Sequence, residues 1–238
     1  MSGGAYSAVS GMQSRLAELD RIASDLANVG TAGYKTERTA SVAAERDFAA
    51  ALQSAVDVAA GGTRTDLSAG SITSTGRALD AAIDGDGFFA IETEQGVRYT
   101  RSGNFTRRAD GVLATQDGEP VLDAEHKRIT LGNGTLAIEA DGSIRVGDAP
   151  VGRIQLWRIA EPDLIRETGS RFRAAPGVKP APSDALLVPE SLEQANVSLV
   201  YRMSGLIEVT RTFEALQKGV SVLMNELDGR AIVELGRR

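Results

Sequence analysis

Apolar residues recur every seven positions between Asn196 and Leu227: Leu199, Leu206, Phe213, Val220 and Leu227 form one series, and Val209, Leu216 and Leu223 follow three residues after its members. This is the a and d spacing of a helix with an apolar stripe. Arg202 interrupts the second series, and its methylenes can lie along an apolar seam while the charge stays in water. Met203 and Met224 widen the stripe. A second stripe lies at the other end of the chain, with Ser2, Val9, Leu16 and Ala23 in one slot and Ala5, Met12, Leu19 and Leu26 in the other. It predicts a helix from about Ala5 to Val29, closed by Gly30 as a left-handed cap. Isolated helices are marginal in water, so each stripe needs a partner, and a fully buried Leu or Val contributes roughly 1.5–3 kcal/mol. The partner is either the opposite end of the chain or another copy.

Between the stripes the periodicity changes. Val42, Phe48, Leu52 and Val56 stand near helical spacing within residues 40–60, which suggests a weaker helix or an ordered linker that ends at Gly61-Gly62. Thr, Ser and Gly dominate 63–76, as in an extended connector. From Arg77 to about Gly177 short β-type runs (88–93, 97–101, 136–139 and 153–159) alternate with Gln95-Gly96, Asp110-Gly111, Asp117-Gly118, Asn133-Gly134 and Asp141-Gly142. Such pairs mark hairpins. The predicted fold is α+β: discontinuous N- and C-terminal helices form a coiled-coil-like domain (1–35 and 190–238), followed inward by a linker (36–76) and an inserted all-β domain with its return connector (77–189).

Composition removes several functions. The 238 residues are 42% apolar, enough for a core, and the net charge of −6 without a basic face argues against nucleic acid. No apolar run approaches the ~18 residues of a membrane span, so membrane insertion is not expected. There is no cysteine, and His126 is the one histidine, flanked by Glu125 and Lys127 as in a solvated loop. No Ser-His, Cys-His or metal set can be assembled from these residues. Asp84-Gly85-Asp86-Gly87 runs into Phe88-Phe89 instead of completing a calcium or phosphate loop, and reads as a turn. No catalytic, cofactor or metal site is expected. The N-terminus has no basic and apolar leader, which taken alone points to the cytoplasm.

Three blocks carry a resemblance. Ala23 to Val29 (Ala-Ser-Asp-Leu-Ala-Asn-Val, with Leu26 and Asn28), then Thr31, Gly33, Tyr34 and Lys35, resemble the N-terminal signature of the bacterial flagellar axial proteins, the rod and hook family; Asp25 stands where that family usually has Asn. Leu79 to Phe89, with Gly85, Gly87, Phe88 and Phe89, and Tyr99 to Phe105, with Arg101, resemble the block shared by these proteins. Leu192 to Val197, with Asn196, resembles their C-terminal motif, Ala195 replacing the common Ser. The short central region is most similar to the proximal rod branch, then to the distal rod branch. The resemblance implies a non-enzymatic axial subunit of the basal-body rod, exported through the flagellar export apparatus without a cleaved signal and stacked helically in the periplasm. Its partners would be further copies of itself and other rod proteins, met through Val9, Met12, Leu16, Leu19, Leu26, Leu199, Leu206, Val209, Phe213, Leu216, Val220, Leu223 and Leu227. A coiled-coil adaptor using its β domain to hold a partner is the alternative.

Overall fold

A computed structural model describes the backbone of residues 2–39, 63–132 and 134–235, and the side chains of 11–38, 64–132 and 134–222. Two compact units result. One contains α1 (Ser2–Ala27) and α2 (Leu199–Leu235), which pack on each other. Their direction follows from three meeting points. A Cβ at Gly11 would lie 3.9 Å from Leu216 Cδ1, one at Gly205 would lie 3.6 Å from Ile22 Cδ1, and Asp25 meets Arg202 at 2.9 Å. Numbers rise along one helix as they fall along the other, so the pair is antiparallel.

The face that α1 turns inward differs from the expected one. Ile22 and Asp25 are buried and Met12, Leu19 and Leu26 half-buried, whereas Leu16 and Ala23 are exposed. The slot of Met12, Leu19 and Leu26 therefore teams with the slot of Arg15 and Ile22, one position before that of Leu16 and Ala23. The physical reason is size and charge: this rotation buries an isoleucine in place of Ala23 and brings Asp25 to a cation. On α2, Val209 is buried, Leu206, Phe213, Leu216 and Val220 are half-buried, and Leu199 is exposed. The side chains of Val9, Leu223 and Leu227, and the apolar series Val42, Phe48, Leu52 and Val56, lie outside the described residues.

The end of α1 also departs from expectation. The helix stops at Ala27, two residues before Val29, because Asn28 and Thr31 form a polar turn: the Thr31 N–H donates to the Asn28 carbonyl at 3.0 Å and its hydroxyl to Asn28 Oδ1 at 3.2 Å. Gly30 is not the left-handed residue. That conformation falls to Gly33, with φ +67°.

The second unit, 28–38 and 64–197, is built on a six-stranded antiparallel sheet ordered Leu164–Arg166, Arg171–Ala174, Gly96–Thr100, Phe88–Thr93, Leu156–Arg158, Ala181–Pro182. Its central strand reads Phe88-Phe89-Ala90-Ile91, all buried. Successive side chains point to opposite faces. Phe89 and Ile91 enter a cluster with Phe105, Leu113, Val121 and Ile144, while Phe88 and Ala90 join Tyr99, Trp157 and Phe172. A sheet covered on both faces needs apolar residues at consecutive positions, which explains the run. Edge-to-face ring pairs hold each side, Phe89 with Phe105 at 4.9 Å and Phe88 with Phe172 at 5.6 Å. Gln95-Gly96 makes the tight hairpin between the central strands, with Gly96 at φ +101°.

The expected strand at 88–93 is observed as such, and those at 97–101, 136–139 and 153–159 become Gly96–Thr100, Leu136–Ile138 and Leu156–Arg158. Arg153 ends a different strand, Ala149–Arg153, in a three-stranded sheet with Ser143–Val146 and Leu136–Ile138. The stretch 63–76 is more than a connector: Thr63–Thr65 pairs with Glu37–Thr39, and Ile72–Ser74 pairs with Ser191–Glu193. His126 is exposed with φ +59°, its ring 4.9 Å from that of Trp157.

Phe89→Ala removes a fully buried ring whose neighbours are held by the sheet, so it is expected to lower unfolding free energy by about 3–5 kcal/mol in urea titration.

Candidate functional site

The turn after α1 delivers Gly33, Tyr34, Lys35 and Thr36 into the interior of the β unit, all four buried. Gly33 is required there on two counts. Its φ is +67°, and a Cβ would stand 2.3 Å from the Arg101 carbonyl carbon. Backbone can therefore lie against backbone, and the Gly33 N–H donates to the Glu193 carbonyl at 2.8 Å.

Lys35 and Glu193 are the centre of the site. Lys35 Nζ lies 2.5 Å from Glu193 Oε1, and neither side chain has any exposure. The ammonium also donates to the Ser68 carbonyl at 2.7 Å, and the Gly70 N–H donates to the same Glu193 oxygen at 2.9 Å. Arg101 approaches Glu193 Oε2 through Nη1 at 3.5 Å, donates from Nη2 to the Gly85 carbonyl at 2.9 Å, and holds its guanidinium 5.5 Å from the centre of the Phe88 ring. Burial pushes the Lys35 ammonium below its ordinary pKa; the Glu193 carboxylate opposes this and the Arg101 charge adds to it. Burial likewise lowers Arg101, against the pull of Glu193.

Asn196 supplies a second clasp beside the first. Its Oδ1 accepts from the Thr36 N–H at 2.7 Å, its Nδ2 donates to the Asp66 carbonyl at 2.8 Å and the Ser68 carbonyl at 3.2 Å, and its own N–H donates to the Tyr34 carbonyl at 3.2 Å. Arg166 closes over the N-terminal strand by donating to the Lys35 carbonyl, with its guanidinium 4.4 Å from the Tyr34 ring centre. Outside these, Arg38 meets the Asp66 carboxylate at 2.5 Å. Partial burial pushes Asp66 up, but hydrogen bonds from Ser68 and the charge of Arg38 outweigh it and leave the carboxyl below its ordinary value.

Of the motif residues singled out in sequence, Gly33, Tyr34, Arg101 and Asn196 meet here, with Gly85 as acceptor and Phe88 as the surface under the guanidinium. Phe89 and Tyr99 belong to the two core clusters, Gly87 packs near Ser183, Asn28 lies in the exit turn, and Leu26 stays on α1. The heptad residues are not part of the site. Lys35 and Glu193 stand inside the recognised blocks and Gly70 in the run before the second of them, whereas Ser68 and Arg166 carry no sequence signal of their own. The available signal was a cation in the first block, another in the second and an anion in the third, each flanked by apolar or small residues. Among the described residues no cluster of three or more His, Cys, Asp or Glu is placed to hold a metal ion. The site's charges face one another, and what they accomplish is to bind residues 33–36, 66–70, 101 and 193–196 into one piece.

These convergent blocks lie in a chain with extensive likeness to known proteins. Residues 82–146 match the model of the flagellar hook protein FlgE/F/G D1 domain. The flagellar basal-body rod protein FlgF of Caulobacter vibrioides is 34% identical, covering 92% of each chain, and that of Mesorhizobium japonicum 36% identical, covering 88% of each. The chain belongs to the flagellar basal-body rod proteins. Within that family the match favours FlgF, although the rod protein FlgG of Bacillus subtilis is also 32% identical over 90% of this chain and 92% of its own. The rod protein is thus a structural subunit of the flagellar basal body, and the buried clasp belongs to its architecture.

Replacing Glu193 by Leu strands two buried cations and is expected to cost about 3–5 kcal/mol in denaturant titration; Lys35→Met should cost less, because Arg101 remains as counter-charge. Asp66 gives a pH signature. A carboxyl held below 3.8 in the folded state contributes stability that is present above that value and lost as pH falls through the folded pKa. The difference in thermal midpoint between the parent chain and Asp66→Asn should accordingly shrink from about pH 5 to about pH 3.

Proposed function

We propose that the terminal helices are the assembly elements of this rod subunit, forming a coiled-coil-like domain through which copies and other rod proteins add along a helical path. The observation that supports this reading is the apolar surface left at the start of α2: Leu199, Val200, Tyr201, Met203 and Ile207 are 46–79% exposed. Contiguous exposed apolar side chains on one helix are a mark of a surface that is covered in use. A contact between different patches of successive subunits does not close into a pair, so addition continues along a screw axis. The heptad residues Met12, Leu16, Leu19, Leu26, Leu206, Phe213, Leu216 and Val220 then divide between the pairing of α1 with α2 and contacts to neighbours.

The subunit acts in the proximal part of the periplasmic rod and reaches it through the flagellar export apparatus. Its role is structural rather than enzymatic: the charged network pairs its own ions and holds backbone together. No described helix is long and apolar enough to cross a membrane.

The experiment is an in-frame gene deletion complemented with the parent chain or with Ile207→Asp, read by swimming assay and by electron microscopy of purified basal bodies. Ile207 is 55% exposed, so the substitution should leave thermal stability within about 0.5 kcal/mol. The deletion should lack distal rod and hook, and the variant should fail to restore them. Full swimming by the variant would remove this face from assembly, and normal hooks in the deletion would refute the rod role.

A further inference from the structure

The apolar seam of the helix pair repeats itself. Sliding the helices by seven residues exchanges Leu206 for Phe213 and Val209 for Leu216, so at these levels hydrophobic burial does not distinguish the registers. Two of the described contacts do not repeat: Ile22 against Gly205, which the slip would replace by Thr212, and an ion pair. Arg202, which breaks the apolar series of α2, is ion-paired through Nε with Asp25 Oδ2 at 2.9 Å, their side chains 18% and 1% exposed. One heptad further along α2 the corresponding residue is Val209, itself 5% exposed. A slip in that direction would face a buried carboxylate with a valine, and a slip the other way would carry Asp25 past Leu199, where α2 begins.

We propose that Asp25 is a specificity determinant of the α1 face: it favours a helix presenting a cation at its own level, which in this chain is the register that aligns it with Arg202. The selection comes from the penalty on wrong pairings more than from the gain in the right one. Removing the counter-charge of a buried ion is strongly unfavourable, while an intact buried pair is close in free energy to the apolar residues that could replace it. Ile22, one turn before Asp25, supplies burial opposite Gly205, where the absent side chain lets the helices approach. Packing and register are thereby assigned to neighbouring levels of one seam. This role concerns the pairing of α1 with α2 in the chain itself and does not depend on rod assembly.

The chain has no cysteine, so introduced pairs report register without background. Gly11→Cys with Leu216→Cys marks the observed register, because a Cβ at Gly11 meets Leu216 Cδ1 at 3.9 Å; Gly11→Cys with Leu223→Cys marks the one-heptad slip. In each background the full-length chain is oxidised and the yields of intramolecular disulfide are compared. With Asp25→Leu and Arg202→Leu together, helix content and thermal midpoint should stay near those of the parent, while the ratio of native to slipped disulfide falls by about tenfold or more. The exchanged pair Asp25→Arg with Arg202→Asp should restore the ratio. An unchanged ratio in the double Leu variant overturns the proposal. So does loss of helix content there, which would make the pair a source of stability, and so does failure of the exchanged pair to restore selection.

Discussion

A carboxylate with no access to water must be neutralised where it stands, and Glu193 imposes that condition on the β unit. Its two oxygens are met by Lys35, Arg101 and the Gly70 N–H, which come from widely separated parts of the chain. Each donor can arrive only if the backbone carrying it is in place. Gly33 must lie against Arg101, and Gly70 must lie against Gln194, where a Cβ would stand 1.9 Å from a carbonyl oxygen. The ionic contacts and the glycines are therefore parts of a single requirement: close backbone approach makes the contacts possible, and the charges make any looser arrangement costly.

The clasp also acts on the routes into both helices. Residues 33–36 follow the exit turn of α1, and 193–196 precede the first residue of α2. Gly33 donates to the Glu193 carbonyl, Asn196 donates to the Tyr34 carbonyl, and the Asn196 side chain accepts from Thr36, so the two strands are tied side by side at three levels. For a subunit of a rod this is a useful place for rigidity. The two segments leading to the terminal helices are held by buried bonds of low local dielectric, which are harder to deform than an exposed linker. Arg166 adds a cover, lying over Tyr34 while bonding the Lys35 carbonyl.

Charge serves a different purpose in the helix pair. In the β unit the buried ions gather segments that have distinct sequences. In the seam the ion pair joins the Ile22–Gly205 contact in distinguishing one pairing from another. Both Asp25 and Arg202 stood out in the sequence as irregularities, one against the family signature and the other against the heptad, and the structure shows them to be partners.

Much of this architecture was legible in order along the chain. Heptads report helices because the period of an α-helix is a local property, and Gln95-Gly96 reports a hairpin because positive φ is a demand on one residue. The doubly buried strand Phe88–Thr93 was visible as an apolar run of strand length, and the three motif blocks carried the family. What the chain could not show in one dimension was which residues meet. Leu16 and Ile22 are both plausible stripe members, and only the position of Gly205 and Arg202 opposite α1 decides for Ile22. The Thr and Gly composition of 63–76 says that the backbone is extended but not that it pairs with Glu37–Thr39 and Ser191–Glu193. Lys35 and Glu193 look like any charged residues until the fold removes water from both. Local preference determined the elements and the family; burial and long-range pairing, which exist only once the chain has closed on itself, decided that a lysine and a glutamate 158 positions apart would hold it together.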